Sequence, residues 1–456
     1  MSHKHCVNLR IARGLATALL AGRWSKDDMA ARLAMVLGIP QPKKWLRALV
    51  ERILIQFGTD PPPPTFFRLT SFLTSDRSFG KVQQRLSDES APRAASLNLL
   101  TLPHPQMAAA KGLRLVADIP GLTTTVELAR WLEISGAELE WFADCRGRER
   151  FHPVCPLRHY RYLWMPKSTV RKRLLEVPKP RLKRIQRRIL DEILNGLMPH
   201  AAAHAFRAGF STVSCAAPHV GQRVVLRIDL CDFFPSVRSS RVQALFRTVG
   251  YPEIVARLLT GLCTNSVPRD VLAAASRCDF NTARLPFEVP HLPQGAPTSP
   301  ALANLCCYRL DCRLAGLARV VGVNYTRYAD DLIFSGDYQF ERSLPRFRVL
   351  VCAIVLDEGF SIRRRKTRVM RSGCRQEVTG IVVNQHVNVP REEVDRLKAI
   401  LHNCAQHGPN SQNREGSKSF REHLLGRVAH VAMIHPPRGA RLRELFDQIE
   451  WPSASE

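Results

Sequence analysis

Val323-Asn324-Tyr325-Thr326-Arg327-Tyr328-Ala329-Asp330-Asp331-Leu332-Ile333-Phe334 reads as two short strands joined by a tight turn. Its flanks are rich in β-branched and aromatic residues, and its centre is a pair of adjacent acids. Two carboxylates at a hairpin tip repel each other, and a divalent cation relieves that repulsion. Alone, Asp-Asp is also a common turn dipeptide. A third acid changes the reading, because Val224-Val225-Leu226-Arg227-Ile228 is a buried strand run that ends at Asp229. A carboxylate closing an apolar strand is costly unless it is solvated, paired or bound to metal. Three such acids fit a pair of magnesium ions roughly 3.5 to 4 Å apart.

The surrounding chain is poor in acid. Its 456 residues hold 67 Lys and Arg against 40 Asp and Glu, a formal charge of +27. Such an excess attracts polyanions, nucleic acid above all, the alternatives being solubility or membrane contact. The run from Arg146 to Arg188 is opposed only by Glu149 and Glu176. A second run, Arg363-Arg364-Arg365-Lys366 with Arg368, Arg371 and Arg375, contains no acid, and single-sign blocks argue for phosphate contact. Thirteen cysteines form no CxxC pair and mostly sit in apolar runs, where a thiol packs as a small hydrophobe. Their odd number, without a signal peptide, points to the cytoplasm. No segment is long and apolar enough to span a bilayer, so no membrane partner is expected.

Outward from the acids, residues 160–390 alternate strands and helices, an α/β (α+β) pattern. Val378 to Val383 reads as one further strand with Gly380 inside it. Beyond Pro390, residues 392–404 and 420–434 read as helices, with a polar loop at 407–417. Upstream, Thr124-x-x-Glu127 and Ser135-x-x-Glu138 each fit a capping box. They start either a helix-turn-helix or a packed helical hairpin. Residues up to about 115 read as helical, with a break at Pro61 to Pro64 and a linker at 87–105.

Asp229-Leu230-Cys231-Asp232-Phe233-Phe234, Leu292-Pro293-Gln294-Gly295-Ala296-Pro297-Thr298-Ser299-Pro300, Tyr328-Ala329-Asp330-Asp331, Gly359-Phe360-Ser361 and Lys366-Thr367 occur in that order. In order and spacing the set resembles the palm of reverse transcriptases, over about residues 120–435. The resemblance implies a right-hand fingers-palm-thumb polymerase, an RNA-directed DNA polymerase, with a helical N-terminal extension. It places the extension and linker at 1–118, N-terminal helices and fingers at 119–228, the palm at 229–389 and a helical thumb at 390–456. It makes Asp229, Asp330 and Asp331 the catalytic metal-binding aspartates, holding two Mg2+ ions with the Leu230 carbonyl. Phe234 is similar to the steric gate that selects deoxynucleotides, although Phe233 is an alternative inward ring. Gln294-Gly295 resembles the loop at the incoming dNTP. Lys167 and Arg173 resemble the clamp on its triphosphate, and Lys366 a general acid near pyrophosphate.

Val378-Thr379-Gly380 matches the VTG signature of bacterial retron reverse transcriptases. Cys215-Ala216-Ala217-Pro218-His219 resembles a second retron element, with Cys215 where Asn is usual. His219 is either an RNA contact or a structural histidine, and Val378, Thr379 and Gly380 are candidate RNA contacts. The retron resemblance implies a cognate non-coding RNA as partner, primed from a 2′-OH and copied into multicopy single-stranded DNA (msDNA). It also implies service in antiphage defence with an effector or toxin protein. The rivals are a group II intron-like or diversity-generating reverse transcriptase, and a non-catalytic RNA-binding regulatory protein.

Overall fold

The structure, a computed structural model, describes residues 3–20, 22–59, 64–86, 107, 109–110, 117–151, 158–166, 172–276, 285–414, 416–417 and 419–451. The expected linker, Lys167 and Pro61 to Pro63 lie outside them. The chain forms two compact units, Met1–Met198 with Phe234–Cys306, and Pro199–Phe233 with Cys307–Glu456.

The first unit begins with helices His3–Leu20, Lys26–Val36, Lys44–Phe57, Phe66–Ser75 and Phe79–Leu86. They bury a core of their own around Leu15, Leu19, Met29, Leu33, Leu46 and Ile53. Inside it, the Arg32 guanidinium donates to the carbonyls of Ala18 and Leu19, which the helix end would otherwise leave unpaired, and to that of Arg23 in the following loop. Further along, both capping boxes form, starting helices Thr125–Trp131 and Gly136–Ala143. The second packs on helix Glu253–Cys263 at Gly261, where a Cβ would collide with the Ala143 carbonyl. The pair is therefore a packed hairpin. Strands β1 (Tyr160–Pro166) and β2 (Lys172–Pro178) pair antiparallel, with Leu174 against Val267 and Leu272.

The second unit is built on an antiparallel sheet of β3 (Val224–Asp229), β4 (Asn324–Tyr328), β5 (Asp331–Gly336) and β6 (Arg368–Arg371), ordered β4-β5-β3-β6. A strand covered on both faces reads as a near-continuous apolar run, and β3 is buried at every residue except Arg227. Helices Arg391–His407, Phe420–Ile434 and Pro436–Asp447 join Val225, Ile333 and Val378 in one core. The last helix goes beyond the two expected. It opens on Pro436-Pro437, and proline is well suited to a first helical turn.

One expected strand is corrected. Val378 to Val383 is not continuous but a hairpin of β7 (Glu377–Val378) and β8 (Ile381–Val382). Thr379 and Gly380 both have positive φ, 51° and 83°, and two such residues in succession reverse the chain.

Candidate active site

Strand register assembles the acids. Asp229 is the last residue of β3 and pairs with Asp331, the first of β5. Tyr328 pairs with Asp331 across the β4–β5 hairpin, which leaves Ala329 and Asp330 as the turn. Ala329 sits at φ 54°, a conformation that costs a non-glycine residue about 1 kcal/mol or more. Its carbonyl is held at 3.2 Å by Nη1 of Arg327. Arg327 is wholly buried and donates from Nε and Nη2 to the two Asp311 oxygens at 2.8 and 2.7 Å. The Tyr325 hydroxyl donates to the same carboxylate at 2.8 Å. The Leu230 N–H donates to the Asp330 carbonyl at 2.9 Å, joining the end of β3 to the turn.

The charges around these acids are uneven. Burial first, then the neighbouring charges of Asp331 and Asp229, push the Asp330 carboxyl above its ordinary range. Asp229 is 1% exposed, and its Oδ1 accepts from Lys366 Nζ at 2.7 Å. Its buried Oδ2 has no hydrogen-bond partner, with Arg363 Nη1 at 3.3 Å. Asp331 is gripped at both oxygens by Arg227, at 3.0 and 2.7 Å.

Lys366 and Arg363 thus face Asp229, and Arg227 holds Asp331. Among the described residues no group of three His, Cys, Asp or Glu side chains is already gathered as a metal cage. Asp229 and Asp330 suit a divalent cation. One has an orphaned buried oxygen, and the other carries a charge that its surroundings disfavour. Arg227, Arg327 and Asp311 were not singled out from sequence, and Arg363 reads there only as part of a basic run. An arginine inside an apolar strand run was the available signal for Arg227, and Thr-Arg-Tyr in β4 for Arg327.

Comparison with known proteins places this site in a family. A family model described as reverse transcriptase (RNA-dependent DNA polymerase) matches residues 165–398. The chain is 43% identical over 328 residues to the retron Mx65 reverse transcriptase of Myxococcus xanthus, covering 71% of each chain. It is 38% identical over 344 residues to the retron Mx162 reverse transcriptase of Myxococcus xanthus, 72% of this chain and 67% of that one. The retron Ec86 reverse transcriptase of Escherichia coli is 31% identical over 294 residues, 64% of this chain and 81% of that one. The chain belongs to the retron reverse transcriptases.

As a retron reverse transcriptase the chain is an RNA-directed DNA polymerase of fingers-palm-thumb fold, and the remaining expected residues fall into place unequally. Phe233 is 5% exposed and stacks on Phe360 with centroids 6.1 Å apart, so it is the core ring, and Phe234 is half-buried. Arg173 is exposed on β2 opposite Met165. Gln294 is half-exposed and Gly295 exposed, at φ 133°. His219 is fully buried, with Nδ1 2.6 Å from Ser335 Oγ and Nε2 2.7 Å from Thr326 Oγ1. Burial lowers its pKa to about 3, leaving a neutral structural histidine rather than an RNA contact. Cys215 lies beside it, 3.3 Å from the same Thr326 hydroxyl. Val378 is likewise wholly buried and corrected to a core residue, whereas the Thr379-Gly380 turn reaches the surface.

The basic runs also change once folded. The two acids opposing the Arg146–Arg188 run are both buried, and burial pushes the Glu149 carboxyl up to about 7. Within that run Arg158, Arg181 and Arg188 pair with Asp270, Glu138 and Glu133 from outside it, while Arg146, Arg148 and Arg150 are exposed. The second run is likewise partly paired. Arg363 and Lys366 pair with Asp229, Arg371 with Glu341, and Arg375 with Glu377 and Glu392. Arg364, Arg365 and Arg368 remain exposed.

Proposed function

We propose that this enzyme copies part of its own structured RNA into msDNA, beginning at an internal 2′-OH of that RNA. The observation that carries the chemistry is the register that sets Asp229 opposite Asp331, next to the Ala329-Asp330 turn, in one sheet. In this reading the sheet β4-β5-β3-β6 is the palm, β1–β2 the fingers hairpin and the helices after Pro390 the thumb. Asp229 and Asp330, with the Leu230 carbonyl, would hold magnesium, and Asp331 stays with Arg227. Two bound Mg2+ ions would lower the pKa of the attacking hydroxyl and neutralise the triphosphate.

The chain's own residues do the rest. Lys167 and Arg173 clamp the dNTP phosphates with charge-assisted hydrogen bonds. Lys366, half-exposed beside Asp229, carries a proton for the departing pyrophosphate. Gln294-Gly295 faces the nascent base pair, and Phe234 excludes a ribose 2′-OH. The Thr379-Gly380 turn and the exposed arginines offer contacts to the RNA. An effector protein, a role in antiphage defence and a cytoplasmic location follow from the retron resemblance alone. No helix among the described residues is long and apolar enough to cross a membrane.

The activity is tested by primer extension on an RNA template with dNTPs and magnesium. Phe234→Ala in that assay should admit ribonucleotides, raising rNTP use relative to dNTP by about tenfold or more. Unchanged sugar selectivity would move the gate to another residue.

A further inference from the structure

In the first unit, far along the sequence from any aspartate of the site, lies a second buried polar cluster. Glu176 on β2 and His291 are both 0% exposed, and Asn265 is 6% exposed. Glu176 Oε1 lies 2.9 Å from His291 Nε2, and its Oε2 accepts from Asn265 Nδ2 at 2.7 Å. Asn265 Nδ2 also reaches the Tyr162 hydroxyl at 3.1 Å, on the strand paired with β2. Asn265 and His291 exchange both backbone hydrogen bonds at 2.9 Å.

The proton count of the pair follows from its partners. His291 Nδ1 lies 2.8 Å from the Val289 carbonyl, which only accepts, so Nδ1 carries a hydrogen. The Nε2 contact with Glu176 then needs one more proton, on the imidazole or on the carboxyl. The pair therefore holds a single shared proton and is neutral as a whole. Burial works against an imidazolium, yet the Glu176 carboxylate keeps the His291 pKa above its ordinary value.

Such a cluster is a poor way to gain stability. Apolar residues of similar volume often replace a buried ion pair at no loss, whereas removing one partner costs several kcal/mol. What the cluster does offer is a fixed register between elements. Three residues after His291, the Gln294 carbonyl accepts from the Glu176 N–H at 2.9 Å. At Gly295 a Cβ would stand 2.9 Å from the Glu176 carbonyl, so only glycine lets the loop lie this close to β2.

We propose that Glu176, His291 and Asn265 are positioning residues for the Gln294-Gly295 loop, seating it on the fingers strand β2 and thereby setting the KM for the incoming nucleotide. The inference rests on reading Gln294-Gly295 as the nucleotide-contact loop. None of the three touches substrate. Their effect is on the placement of a loop that does, and small misplacements of such groups are costly.

The test is single-nucleotide incorporation with the full chain, measuring dNTP KM and kcat together with thermal melting. Glu176→Leu keeps the volume and removes the bonds. It leaves buried His291 and Asn265 without their partner and should melt below the parent. At a temperature where it stays folded, KM rises about tenfold while kcat changes little. Glu176→Gln can donate to a neutral His291 Nε2 and accept from Asn265, so it should restore KM to within about twofold. Gln294→Ala should raise KM by itself, and Glu176→Leu should add little on that background. An unchanged KM in Glu176→Leu, with Gln294→Ala impaired, overturns the positioning role. An unchanged KM in Gln294→Ala overturns instead the reading of the loop. Should Glu176→Leu not fold, Asn265→Ala removes the bonds to Glu176 Oε2 and to the Tyr162 hydroxyl while keeping His291 paired, and must raise KM in the same way, or the inference fails.

Discussion

Asp330→Ala lowers magnesium-dependent DNA synthesis by at least about a thousandfold while the fold and RNA binding persist. Asp330 sits at a turn whose backbone is fixed by Arg327 and by the Leu230 N–H, so the turn does not need the carboxylate to form. The carboxylate is in fact disfavoured there by burial and by two neighbouring acids. Removing it relieves repulsion, and the variant should unfold at the same denaturant concentration as the parent or a higher one. Asp331→Ala behaves differently, because it strips the partner from Arg227 and should lose stability as well as activity. Full activity in Asp330→Ala, or a marked loss of its stability, would contradict this picture of the site. Primer extension, an RNA gel shift and denaturant unfolding on the same preparations read all three.

The second large effect is on stability. Asp311→Ala leaves the Arg327 guanidinium without its carboxylate in a wholly buried place, at a cost of about 3–5 kcal/mol. The Tyr325 hydroxyl loses its acceptor in the same change. Arg327 also holds the Ala329 carbonyl, so activity should fall further than the folded fraction does. Asp311→Asn keeps one acceptor oxygen and should lie between variant and parent. A denaturant midpoint for Asp311→Ala within error of the parent would mean that Arg327 finds another partner.

Much of this was legible in the chain because it rests on local patterns. The apolar run before Asp229 and the Tyr-Ala-Asp-Asp turn fixed β3, β4 and β5. The two capping boxes also formed as read. What was not legible depends on approach across the sequence. Arg227 neutralises Asp331 from 104 positions away, and Lys366 reaches Asp229 over 137. Spacing along the chain carries no trace of such pairs. Val378-Thr379-Gly380 misled in the other direction, since an apolar stretch with one glycine suits a strand as well as a hairpin. The interleaving of the two units is similarly invisible to boundaries drawn along a line.

The most direct measurement is of the nucleic acid that accompanies the purified enzyme expressed with its proposed cognate non-coding RNA. Retron msDNA synthesis requires a short DNA whose gel mobility shifts after RNase, and whose junction yields to a 2′-5′ debranching activity. The same DNA should be missing from Asp330→Ala. A linear complementary DNA without a branch, or no DNA beside an enzyme that extends primers, would contradict copying from an internal 2′-OH.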